Sequence, residues 1–189
     1  MKYLVITTAA LGILGACSTP NPPSVTRHDV NRAYGEARRI EALPFTEAIT
    51  LPTGSVIYNG QVGANVYGEA SGSILGDMRM EVDFRDGDID GDIRNINLID
   101  MDGTPNQRFD GSLDINGREN NGDLDATAKG RLTGVDINNQ SVDTYMDLDL
   151  IGEVRDDRDF GDAVYGEVDG IATGDFNMTV DGVFFGTAD

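Results

Sequence analysis

The sequence predicts an all-β protein, an eight-stranded antiparallel up-and-down β-barrel that is soluble and has an apolar interior, and three observations carry that prediction. From Ser55 onward apolar and polar residues alternate with period two, as side chains on a strand alternate between its faces. Turn residues interrupt the alternation at short intervals, so sequence neighbours are expected to pair. After the N-terminal region no segment has the 3.6-residue period of a helix that could cover a sheet, so the sheet hides its apolar face by closing on itself.

Ahead of the strands the chain has three parts. Residues 1–16 read as an export signal: Lys2 supplies the positive start, Tyr3 to Ile13 the apolar stretch, and Leu14-Gly15-Ala16-Cys17 a small-residue cleavage site of lipobox type. The apolar stretch is too short to span a bilayer as a helix. Cys17 then becomes the first mature residue and carries the lipid, and as the only cysteine it leaves no disulfide. Residues 17–53 read as a flexible lipidated tether with a short helix. Pro20, Pro22 and Pro23 exclude regular structure over Ser18 to Val25. Thr26 and Asp29 form a capping box, Val30, Ala33, Tyr34, Ala37 and Ile40 have helical spacing, and Pro44 is the stop. Arg27, Arg32, Arg38 and Arg39 make this the basic patch of the chain. The helix either docks on the acidic body or stands as a solvated spacer.

The barrel domain is 54–189, with strands near 55–69, 76–85, 88–99, 107–116, 123–136, 141–155, 163–172 and 175–186. The second and third are the clearest. Met78, Met80, Val82 and Phe84 share one face, Arg79, Glu81, Asp83 and Arg85 the other, and Asp86-Gly87 is a two-residue turn. Further connections are expected at 116–122 and at Asn138-Asn139. Gly91, Gly111, Gly130, Gly152, Gly166 and Gly170 fall on the inward face, where they permit sharp coiling beside Phe and Met side chains. The phase slips between Ile93 and Ile96 and again near Gly134, which predicts two bulges. A lipid-facing barrel would force the many carboxylates into a narrow lumen and would lack aromatic girdles, so the apolar face is placed inside.

Charge and residue types exclude several functions. With 33 acidic and 14 basic residues the net charge is -19, which repels nucleic acid. Asp86, Asp88, Asp90, Gly91 and Ile93 follow the spacing of a calcium loop, but Asn97 stands where a bidentate Glu is needed and the flanks are strands, so no metal site is assigned. Asp156, Asp157, Asp159 and Asp162, with Arg155 and Arg158, read as a solvated, self-paired loop. His28, the sole histidine, precedes the barrel, so no histidine-based catalytic set can be assembled there. No catalytic residue and no cofactor is predicted.

The lipobox, Gly54-Ser55-Val56-Ile57-Tyr58-Asn59-Gly60, the strand Met80–Phe84 followed by Ile89–Ile93, Phe109–Leu113 and the closing Gly182-Val183-Phe184-Phe185-Gly186 resemble the barrel domain of transferrin-binding protein B-like surface lipoproteins. The resemblance implies lipid anchorage in the outer membrane, display at the cell surface, and binding of a protein or small solute without catalysis. This chain has one barrel and no β-rich handle, so neither transferrin nor any family contact residue carries over. Ser18, in place of the Asp that retains lipoproteins at the inner membrane, fits the same address. A structural envelope lipoprotein and a barrel-type protease inhibitor are the alternatives.

Partner-binding residues are expected at the barrel end opposite the tether, where Ile74, Leu75, Met101 and Pro105 are apolar within predicted loops. Alternatively, Ile74 and Leu75 begin the second strand and plug the barrel mouth. Lipidation has a direct test: Cys17→Ser should leave an unprocessed or soluble precursor, and a mature N-terminus elsewhere without acyl chains, seen by mass spectrometry, would refute it.

Overall fold

The computed structural model describes residues 20–69, 71–136, 138–158 and 161–189. The signal segment and Cys17 lie outside them. Helix α1 (Arg27–Glu41) precedes ten strand segments: β1 (Ser55–Gly68), β2 (Gly72–Asp83), β3 (Asp88–Ile99), β4 (Pro105–Arg108), β5 (Asp110–Gly111), β6 (Leu113–Asn120), β7 (Asp123–Val135), β8 (Ser141–Asp157), β9 (Gly161–Gly174) and β10 (Met178–Ala188). Because β4, β5 and β6 occupy a single stave between β3 and β7, the ten segments make an eight-staved antiparallel barrel. It closes where β1 pairs with β10, from Tyr58↔Ala188 to Gly68↔Met178.

The alternation places the core. Tyr58, Met80, Ile93, Leu113, Leu124, Met146 and Phe184 belong to one fully buried cluster inside the barrel. Inward glycines make room for these larger groups. A Cβ on Gly152 would lie 2.6 Å from Phe184 Cζ and one on Gly166 2.3 Å from Phe184 Cε1, so the Phe184 ring occupies the volume that both glycines vacate. Gly111 departs from expectation: it is exposed where β5 breaks from β6, and its φ of +114° is a conformation that glycine alone adopts readily.

Several boundaries differ from those expected. β2 starts at Gly72, so Ile74 and Leu75 are strand residues and not loop residues. The β2–β3 turn is a four-residue loop, Phe84 to Gly87, in which Phe84 is half-buried. The β6–β7 connection shortens to Asn121-Gly122, whose φ values of 54° and 93° suit a two-residue hairpin turn that demands positive φ at both positions. The slip between Ile93 and Ile96 is a bulge: Asp77 pairs with Arg94 and Leu75 with Asn97, leaving Gly76 opposite two residues, with Asn95 at φ 50°. Near Gly134 there is no bulge, since β7 and β8 stay in register from Asp123↔Glu153 to Val135↔Ser141. Gly134 accommodates the Phe109 ring, 2.6 Å from where its Cβ would be.

The segment ahead of the barrel is fastened to it, which corrects the reading of 17–53 as a free tether for residues 21–53. Asn21 O accepts from Arg108 N–H at 3.0 Å, and Ser24 N–H donates to Oδ1 of the buried Asn97 at 2.8 Å. The expected capping box is present, with Asp29 N–H on Thr26 Oγ1 and Thr26 N–H on Asp29 Oδ2. Of the two readings of α1, docking is the one found, and apolar packing leads it. Ala33, Ala37 and Ile40 are buried against Leu75, Ile99, Ala163 and Phe185 on the outside of the barrel. Beyond the helix, Thr46 N–H donates to Val154 O at 3.1 Å, Pro44 O accepts from Asp156 N–H at 2.9 Å, and Leu51 packs against the core.

Core burial sets the expected response to truncation. Phe184→Ala should cost about 3–5 kcal/mol, the range for emptying a buried Phe site, whereas half-buried Phe84→Ala should cost less. Urea unfolding of both variants checks this; equal losses would contradict a core centred on Phe184.

Candidate binding groove

Consecutive apolar residues on a strand point to opposite faces, so Ile74-Leu75, Ala163-Val164 and Phe184-Phe185 each put one side chain inside the barrel and one outside. The outward members form an apolar stripe on a largely polar wall, and α1 covers it. The helix starts beside the 100–104 connection, where Arg27 bonds Thr104 Oγ1 and lies 3.7 Å from Asp102. It ends over β8, so it crosses the β1–β10 seam.

Arg155 on β8 secures the helix end. Its Nη1 donates to Leu43 O at 2.8 Å and Glu41 O at 3.2 Å, and its Nη2 bonds Glu153. The guanidinium lies 4.3 Å from the Phe45 ring centre and 5.6 Å from that of Tyr165. A cation at the C-terminus of a helix also meets the negative end of its dipole. Nearby, Arg39 donates to the buried Asp157 at 2.6 Å and to Glu36; those two acceptors, Glu36 first, hold its pKa above the usual arginine range. Asp157 is therefore part of the helix seat and not of a solvated loop. Asp162 is held above the ordinary carboxylate range by burial and then by Asp156.

Along its other flank α1 stands off the wall and leaves a groove of about 340 Å³. Val30, Ala33, Tyr34 and Ala37 form one side; Gly63, Leu75, Ile99, Val183 and Phe185 form the floor and opposite side. Asn65, Ser73 and the Tyr34 hydroxyl are the polar groups, and no acid, histidine or lysine lines it. Tyr34 is 66% exposed, with the Arg38 guanidinium 5.9 Å from its ring centre. A concave apolar site with a few polar groups is the usual form of a binding pocket, and this one lies within the common size range of about 300–1,000 Å³.

The residues expected to bind a partner separate. Leu75 lies on the groove floor; Ile74 also borders the groove but packs into the interior cluster, which matches the strand-start alternative. Met101 is 87% exposed in the loop after β3 and Pro105 opens β4, half-buried, at the end where Arg27 reaches Thr104 and Asn21 pairs with nearby Arg108, so this end is not the one opposite the tether as expected. That end also exposes Tyr67, Tyr145 and Ile171, apolar residues at outward positions where the pattern calls for polar ones. The sequence places Tyr34 on the helix stripe, Val183 and Phe185 in the closing strand and Arg155 beside an acidic loop, and it assigns none of them to a site. The doubled apolar residues Ile74-Leu75 and Phe184-Phe185 were the available signal of an external contact.

Asp88, Asp90 and Asp92 are spread along the outward face of β3, with Asp88 paired to Arg118 and Asp92 to Arg94, and residues 86–97 form a turn and a strand. Among the described residues no group of three or more His, Cys, Asp or Glu is placed to hold a metal ion. No helix among them is long and apolar enough to cross a membrane. Comparison with protein-family models, curated proteins and solved structures finds no match to this chain.

Removing Arg155 should loosen the groove's helical side. Arg155→Ala is expected to cost about 1.5–3 kcal/mol, the scale for hydrogen bonds to a charged group, and to speed amide exchange at Ile40 and Leu43. Unchanged protection there would show that apolar packing alone holds the helix end.

Proposed function

We propose that this chain is a lipid-anchored protein of the outer membrane, displayed at the cell surface, whose barrel is a non-catalytic binding module. The groove between α1 and the barrel wall supports this reading best. Its volume suits an apolar side chain from a protein partner or a small apolar solute, and its lining offers surface for burial without an acid–base pair. The barrel interior is filled by its own side chains around Phe184, which directs recognition to the outside. The resemblance to transferrin-binding protein B-like lipoproteins and the lipobox at Cys17 support the anchorage. The inhibitor alternative needs an exposed extended N-terminal segment, yet Asn21 and Ser24 are laid against the barrel.

Affinity capture by intact cells displaying the protein tests the site. Tyr34→Asp changes an exposed helix residue, so stability should shift by about 0.5 kcal/mol or less, while capture from host fluid should fall. Loss with Met101→Asp and retention with Tyr34→Asp would move the site to the β3–β4 loop. No capture by the parent protein would favour a structural envelope role.

A further inference from the structure

Residues 21–24 are built into one side of the barrel. Asn21 pairs with Arg108 at the end of β4 and its Nδ2 donates to Asp110 Oδ2 at 2.7 Å, while Ser24 is bonded to Asn97 on β3. Four peptide steps separate Asn21 from Cys17, and an extended chain advances at most about 3.6 Å per residue, so the two α-carbons can stand no more than about 14 Å apart. Around the barrel the staves run β1, β2, β3, β4–β6, β7, β8, β9, β10 and back to β1. The anchoring stave, β4–β6, is therefore nearly opposite the β1–β10 seam, which α1 crosses, while the groove extends from that seam over β2 to Ile99 on β3.

We infer that the wall formed by β4–β6 and β7 faces the lipid surface of the membrane, so that the groove is turned away from the bilayer. This inference rests on lipidation of Cys17 as proposed above. A long tether would let the domain tumble; a leash of this length, fastened at Asn21 and Ser24, does not. The wall sets cations among acids: Lys129 and Arg131 of β7 pair with Asp147 at 3.0 Å and Asp143 at 2.7 Å of neighbouring β8, and Arg118 of β6 pairs with Asp88 of β3. Such pairing blunts the repulsion that a chain of this net charge meets at an anionic surface. The chain length, and not attraction, sets the orientation, since of the helix arginines Arg32 lies by β1 and β10 and Arg39 by β8, away from this wall.

The test uses the full lipidated chain in phosphatidylethanolamine–phosphatidylglycerol vesicles with an acceptor dye on the headgroups. Cys17 is the only native cysteine, so a donor can be placed uniquely at Asp114→Cys on β6 or Asn31→Cys on α1, both exposed. Energy transfer should be at least twofold stronger from position 114 than from position 31, and a 20-residue Gly-Ser insertion after Thr19 should remove the difference. Equal transfer from the two sites in an acylated parent chain, or stronger transfer from position 31, overturns the orientation and leaves lipidation standing. Mass spectrometry of the same sample separates the cases: a chain without acyl groups overturns both.

Discussion

The pairing of β1 with β10 is the constraint on which the rest of this structure depends. It joins the two ends of the barrel sequence, with Asn59 reaching Asp189 across 130 residues, and it converts an open sheet with two unpaired edges into a closed wall. Closure gives the inward faces a common core. It also places Leu75, Val183 and Phe185, from distant parts of the chain, next to one another on the outside.

The helix belongs to that closure and is no appendage. Its small residues, Ala33 and Ala37, let the backbone come close to the wall, and Ile40 fills the far end of the contact. Hydrophobic burial supplies the contact, while Arg155 and the Arg39–Asp157 pair set its angle and end point. Charged side chains at such a margin define geometry more than they add energy, because a buried ion pair pays heavily for desolvation. The groove follows from a helix that touches the wall along one flank only.

The barrel was legible because period-two alternation and turn chemistry act locally and agree with one another. Thr26 and Asp29 announced the helix start, and the shift from Ile93 to Ile96 announced the bulge at Asn95. Where two elements meet from far apart in sequence, legibility ended. Ile74-Leu75 read as a loop because both residues are apolar, yet each faces a separate burial environment. Ala33 and Ala37 made a weak apolar stripe whose partner lies more than a hundred residues away at Phe185. The Asn121-Gly122 turn was readable but was absorbed into a longer connection. No local rule reports that Asn21 and Ser24 bond to β4 and β3, since the proline-rich stretch has no period at all.

Phe184 and Phe185 are neighbours in sequence with unrelated duties. One ring fills the space left by Gly152 and Gly166, and the other lies under the helix in the groove. On the strands beneath the helix, alternate positions are thereby divided between filling the barrel and seating α1. Outward residues away from that seat carry neither burden, so changes there cost folding little, whereas a change at Leu75, Ala163 or Phe185 loosens the helix.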